Sequence, residues 1–199
     1  MLFFTHNIKP IAATISISLL TLSLTACGGG SSDNSATSAS TPPTPAIVPV
    51  VAPEAAKTCS LPNFQQELMT LINQARASSR MCGTTSYPAV AAVSWNSKLF
   101  NAAAAHSADM ATYNYFSHTS LDGRLFSQRL AAAGYTWSAI GENIAAGTST
   151  VAQAMSGWIN SPGHCANIMN GNFTEVGMAC VSSSTSAYRT YWTMDLGRP

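Results

Sequence analysis

The first 57 residues carry none of the patterning that a packed domain needs, and this confines folding to residues 58–199. One basic residue, Lys9, precedes an apolar run from Ile11 to Leu24, which ends in Leu24-Thr25-Ala26-Cys27 and three glycines. Small residues before a cysteine at the end of an exported apolar run resemble a lipoprotein signal, cut before Cys27 and anchored there by lipid. Residues 1–26 are therefore expected to be a signal peptide. Residues 27–57 are mostly Gly, Ser, Thr, Ala and Pro with no periodic apolar stripe, so ordering them would bury too little surface to offset the entropy lost. They read as a lipid-anchored disordered tether whose prolines favour extended backbone and reach.

Residues 58–199 have the length of one domain and no internal repeat. A chain of this size buries roughly two thirds of its surface and has no need of a structural metal to fold. The net charge is +1 with scattered basic residues, which excludes a nucleic-acid footprint.

Besides Cys27 the chain has four cysteines, Cys59, Cys82, Cys165 and Cys180. An even number in an exported domain implies two disulfides, and four cysteines allow three connectivities. The expectation is the two pairs close in sequence, Cys59 with Cys82 and Cys165 with Cys180, each contributing roughly 3 kcal/mol in the chain-entropy model. The competing reading, Cys165 as a nucleophile beside His164, is set aside because adjacency in sequence is not a catalytic geometry.

Apolar spacing predicts four helices. Phe64, Leu68, Leu71, Ile72 and Ala75 form one stripe, and Leu99, Ala103, His106 and Met110 form a second in a helix starting near Asn96. A third spans Leu125 to Ala133 and stops at Gly134, and a fourth spans Val151 to Asn160 and stops before Pro162. Residues Glu175–Ser182 and Ala187–Leu196 read as an antiparallel hairpin. The class is α+β, in layers. Trp95, Trp158 and Trp192 are expected in the core, as is His106, which shares an apolar face.

Only 9% of residues are charged, against roughly 25% in an average domain, so grouped ionisable side chains carry information. His118 and Asp122 lie in SHTSLDGR, Glu142 in GENIA and His164 in SPGHCANIM. Each stretch is placed at the edge of a regular element, where a scaffold can hold a side chain in a cleft. Imidazole and carboxylate oxygen suit zinc or another divalent cation, and an open position would leave room for water.

The segments YFSHTSLDGRLF, GENIAAG, WINSPGHCANIMNGNFTEVGMAC and YWTMDLG resemble, in this order, the bacterial branch of the CAP superfamily, named for cysteine-rich secretory proteins, venom antigens and plant pathogenesis-related proteins. The resemblance runs from about Leu61 to the C-terminus. It implies a three-layer α-β-α sandwich with a central mainly antiparallel sheet, and a cleft holding two histidines and two acids. Position by position these are His118, Asp122, Glu142 and His164, both the ligand-binding cleft and the metal set. Asp122 stands where the family typically has a glutamate. Glu175 does not match the tetrad.

Three functions follow as expectations. The first is an extracytoplasmic binding module, monomeric and membrane-attached through Cys27, taking an apolar small ligand or a protein partner in a cleft that can hold a divalent metal. The second is a metal-assisted hydrolase with Glu142 as base. The third is a structural or adhesive envelope component. Gly28 after Cys27, in place of an aspartate, points to the outer membrane where the cell has one.

Overall fold

The structure, a computed structural model, describes residues 54–199. The signal, Cys27 and the tether up to residue 53 lie outside the described residues. A 3-10 turn, Glu54–Lys57, falls within the stretch read from sequence as tether. It is docked on the domain: Lys57 Nζ lies 5.5 Å from the centre of the Phe100 ring and donates to Asn101 at 3.2 Å.

Helix α1, Phe64–Arg76, buries Phe64, Leu68, Ile72 and Ala75, the stripe predicted from spacing, with Leu71 half-buried at its margin. A small antiparallel hairpin follows, β1 (Arg80–Cys82) and β2 (Thr85–Tyr87), then the two-residue strand β3 (Ser94–Trp95). Helix α2, Ser97–Tyr113, starts where Asn96 accepts hydrogen bonds from the backbone N–H groups of Lys98 and Leu99, the role of an N-cap. Helix α3 (Phe126–Ala132) is followed by Gly134 at φ 75°. Strand β4 (Ala139–Ala146) carries the GEN motif, and helix α4 (Val151–Asn160) is capped by Thr150.

Where sequence reading stops at Pro162, the structure has a fifth helix, α5 (Pro162–Ile168). Proline ends a helix that precedes it but is well suited to the first turn of the next, where its missing N–H costs nothing. The PGH segment is therefore helical. Strands β5 (Glu175–Ser182) and β6 (Thr190–Arg198) form the expected hairpin.

The main sheet has the order β3-β5-β6-β4, with β3–β5 parallel and the other pairs antiparallel. Alternation along β5 and β6 sends Val176, Met178, Cys180, Trp192, Met194 and Leu196 into the large core beneath α1, α4 and α5. The opposite face meets α2, whose Phe100, Ala103 and Ala104 pack on Ala179. The result is the three-layer α-β-α sandwich of α+β class. Trp158 and Trp192 are in the core, and Trp95 is half-buried at its edge.

Helix α2 lies so close to the sheet that a Cβ at Gly177 would stand 2.1 Å from the Phe100 nitrogen and 2.5 Å from the Leu99 carbonyl carbon. Backbone on both sides leaves nothing to rotate away. Gly177→Ala is expected to destabilise the domain by about 3 kcal/mol or more, the upper end for overpacking, read as the urea midpoint. Gly157→Ala, on α4 with open space around the added methyl, should instead stabilise by about 0.5–1 kcal/mol.

The disulfides correct the expected pairing. They join Cys59 to Cys180 and Cys82 to Cys165, with Cα separations of 5.2 and 5.4 Å. The incoming chain runs alongside β5, where the Cys59 N–H donates to the Cys180 carbonyl at 2.9 Å, so these two residues are neighbours. Cys165, on α5, faces β1 instead, and its sulfur is bonded rather than nucleophilic.

Candidate functional site

Glu142 sits on the edge strand β4, directly across the ladder from Asp195 of β6. Its side chain is 1% exposed and both oxygens are engaged. Oε1 accepts from His118 Nδ1 at 2.8 Å, and Oε2 from Arg129 Nη2 at 2.6 Å. Burial alone would raise the carboxyl pKa. The His118 hydrogen bond and the Arg129 charge outweigh it and hold Glu142 below the usual carboxylate value, as an anion.

His118 lies on the loop between α2 and α3, and the Arg129 guanidinium holds that loop. Nη1 donates to the carbonyls of His118 (3.0 Å) and Arg124 (3.2 Å) and to Ser120 Oγ (3.1 Å). With Nδ1 turned to an ionised Glu142, Nε2 is the ring nitrogen of His118 left without a protein partner among the described residues, and the side chain is 50% exposed. A buried carboxylate fixing the tautomer of an accessible imidazole is the arrangement that prepares histidine for a cation.

His164 lies on the first turn of α5. Its carbonyl accepts from Asn143 Nδ2 at 3.1 Å, and Asn167 ties Asn143 Oδ1 (2.8 Å) and the Glu142 carbonyl (3.2 Å) together. Asn143 thus braces β4 against α5. Burial lowers the His164 pKa, and the neighbouring His118 imidazole lowers it further, which favours the neutral ring. The two imidazoles are within electrostatic reach of one another at the β4 edge.

Asp122 is placed differently. Its carboxylate is bound by Arg124 Nε at 2.6 Å on the outside of the loop, where the Arg124 backbone N–H and guanidinium hold its pKa down. Among the described residues no group of three or more His, Cys, Asp or Glu is close enough to hold a metal ion. A base would need an oxygen open to a substrate water, and Glu142 has neither oxygen free. Glu175 accepts from Asn96 and Tyr135 and makes no hydrogen bond to His118 or His164.

Three residues behind the cleft were not singled out as parts of it by sequence. Arg129 stands alone on a short helix, and its burial beside Glu142 depends on two elements meeting. Asp195 shares the inward face of β6 with Tyr191 and Thr193, a clue in the strand alternation. His106 is fully buried on α2, donating from Nε2 to the Ser117 carbonyl at 2.9 Å; burial first, then the Arg129 charge, keeps it neutral.

Asp195 is buried, and both desolvation and the Glu142 anion raise its pKa well above normal, so it keeps its proton in the fold. In the unfolded chain it ionises above about pH 3.9, and each pKa unit of difference then costs about 1.4 kcal/mol of stability. The cost is absent below pH 3.9 and grows with pH toward the folded value. Asp195→Asn, which keeps a donor toward Glu142, is therefore expected to raise the melting temperature at pH 7, with a gap over wild type that narrows toward pH 4. A gap independent of pH would show that Asp195 is ionised in the fold.

Comparison with known proteins agrees with this architecture. The CAP family model, described as the cysteine-rich secretory protein family, matches residues 69–196. The uncharacterized protein YkwD of Bacillus subtilis (strain 168) is 38% identical over 87 residues, 44% of this chain and 34% of that protein. The uncharacterized membrane protein YlbC of the same organism is 34% identical over 89 residues, 45% of this chain and 26% of that protein. The matched stretch thus spans about a third or less of these relatives. A crystal structure of an extracellular protein containing an SCP domain from Bacillus anthracis aligns with TM-score 0.54 and 29% identity, covering 67% of this chain and 40% of that one. An outer surface protein from Borrelia burgdorferi shares the fold at 16% identity and TM-score 0.53, over 67% of this chain and 87% of that one. The family match, the sandwich around a β3-β5-β6-β4 sheet and the His118–Glu142 pair agree: the chain belongs to the CAP family.

Proposed function

We propose that this chain is an extracytoplasmic, lipid-anchored CAP-domain binding module, whose His118 and His164 imidazoles capture a divalent cation such as zinc and, with it, a small ligand or partner. The observation that carries this reading is the Arg129–Glu142–His118 relay. It fixes one imidazole with Nε2 free, while a second neutral imidazole stands nearby on α5. Two disulfides support an oxidising compartment outside the cytoplasm. The lipoprotein-like signal ending at Cys27 supports the anchor, and no helix among the described residues is long and apolar enough to cross a membrane.

The donor set is smaller than the tetrad. Glu142 orients His118, Asp122 is committed to Arg124, and the two imidazoles would share the cation with water, a set suited to modest affinity. When bound, the cation would supply a positive point for an anionic or carbonyl group of the ligand. The buried and fully engaged Glu142 favours binding over hydrolysis.

Zinc titrated calorimetrically into the full-length chain tests this. His118→Ala and His164→Ala should each weaken uptake at least tenfold, and Asp122→Asn should leave it within twofold. Uptake should also fall as the solution is acidified, because protons compete with the cation for imidazole nitrogen. Unchanged uptake in the His118→Ala, His164→Ala double variant would refute the site.

A further inference from the structure

Among the described residues six large apolar side chains are exposed, and four of them, Tyr113, Phe116, Leu121 and Leu125, fall within residues 113–125, where α2 ends and the His118 loop leads into α3. The fifth, Tyr188 in the β5–β6 turn, packs against Phe116 with ring centres 5.9 Å apart. That turn is held in place: Asn114 accepts from the Ala187 N–H at 2.8 Å and from the Tyr191 hydroxyl at 3.3 Å, and Tyr188 meets the buried Tyr191 ring edge-on. The sixth, Met81, is on β1. Single exposed apolar residues are ordinary, whereas five concentrated on two adjoining segments mark a surface that meets something.

Charge narrows what that is. Residues 113–125 and 183–190 carry three charged side chains, Asp122, Arg124 and Arg189. Asp122 and Arg124 neutralise one another at 2.6 Å, so the exposed Arg189 is left over and no unpaired acid opposes an anionic surface. Tyrosine and phenylalanine beside leucine, with a spare positive charge, suit the headgroup layer of a bilayer, where the rings meet acyl chains and the hydroxyls stay wet.

The position of the incoming chain fits the same occupant. It joins the domain at Glu54–Lys57, against Phe100 and Asn101 near the start of α2. The apolar stretch begins at Tyr113, about 18 Å further along that helix at roughly 1.5 Å per residue. Flexible-chain scaling gives the segment between Cys27 and Glu54 a span of about 26–31 Å, enough to pass the helix and lay its far end on the bilayer that holds Cys27. A patch tethered so closely needs little affinity of its own to stay docked. We infer that the surface of Tyr113, Phe116, Leu121, Leu125 and Tyr188 rests on the lipid headgroups of the membrane in which the chain is anchored, turning the His118 loop toward the bilayer. The inference rests on the Cys27 anchor of the proposed function and is independent of cation capture.

The test is neutron reflectometry of the full chain, as extracted from the membrane fraction, inserted at low surface density into supported bilayers of phosphatidylcholine with a quarter phosphatidylglycerol. Domain density should begin at the headgroup layer with no water gap. Two double variants, Phe116→Ser with Tyr188→Ser and Leu121→Ser with Leu125→Ser, should each move it outward by about 10 Å or more, toward the span of the tether. Their melting temperatures should stay within a few degrees of wild type, and the leucine pair keeps the test valid if loss of the aromatic pair unfolds the turn. A water gap in wild type, contact unchanged in both variants, or contact that forms only at high surface density, which would assign the patch to a second copy of the chain, would each overturn docking. Intact mass separates the two readings: a chain without acyl groups on Cys27 refutes the anchor and the docking with it, whereas an acylated chain with a water gap refutes the docking alone.

Discussion

Replacing Arg129 by Met is expected to cost the domain about 3–5 kcal/mol, the loss typical of breaking a buried ion pair by removing one partner. The guanidinium is 4% exposed and serves three acceptors besides neutralising Glu142, so methionine would leave a desolvated carboxylate, two carbonyls and a hydroxyl unmatched. Lysine should rescue only part of this, since one ammonium cannot reproduce a planar fork that reaches two ways. The pH dependence identifies the cause. In wild type the stability due to the low Glu142 pKa is complete above the unfolded value near pH 4.3 and is lost as pH falls below it. In Arg129→Met the buried carboxyl would instead be pushed up, so the deficit should be largest at neutral pH and shrink as Glu142 takes up a proton. Urea unfolding at pH 7 and pH 4.5 measures this, and equal deficits at both would assign the effect to packing alone.

The second large effect concerns the cross-links. Removing the Cys59–Cys180 bridge by a double serine replacement should cost about 4–5 kcal/mol in the chain-entropy model, and removing Cys82–Cys165 nearly as much, because the bridged residues are 121 and 83 positions apart. Bridges between sequence neighbours would give roughly 3 kcal/mol each by the same relation. Both bridges also tie elements far apart in sequence: one holds the entering chain to β5, the other holds α5, with His164, to the β1–β2 hairpin. Loss of the second should therefore weaken zinc uptake as well as stability, whereas loss of the first should affect stability alone. Peptide mapping without reduction checks the pairing directly.

Periodicity made much of the fold legible. The α1 stripe, the α2 stripe with its Asn96 cap, the Thr150-capped α4 and the β5–β6 hairpin are all local patterns, and local patterns survive into the folded state. Helix α5 was hidden because Pro162 reads as an ending when it is also a beginning. The cysteine pairing was hidden because sequence proximity says nothing about which chain lies beside β5. At the cleft, resemblance pointed to His118, Glu142 and His164. It did not reveal Arg129 or Asp195, whose importance arises only when α3 closes over β4 and β6 pairs with β4. Asp122 shows the reverse: in the right stretch of sequence, its short side chain is held on the outer side of the loop by Arg124, two residues on.

The central claim is that two imidazoles, one oriented by Glu142, form the cation-binding face of this domain. Zinc K-edge X-ray absorption of the full-length chain loaded with one equivalent of zinc tests it most directly. Two imidazole nitrogens at about 2.0–2.1 Å, with the remaining scatterers light oxygen atoms, are predicted, and His164→Ala should reduce the imidazole signal to one. A shell of oxygen alone, or an imidazole signal unchanged in His118→Ala and His164→Ala, would contradict it.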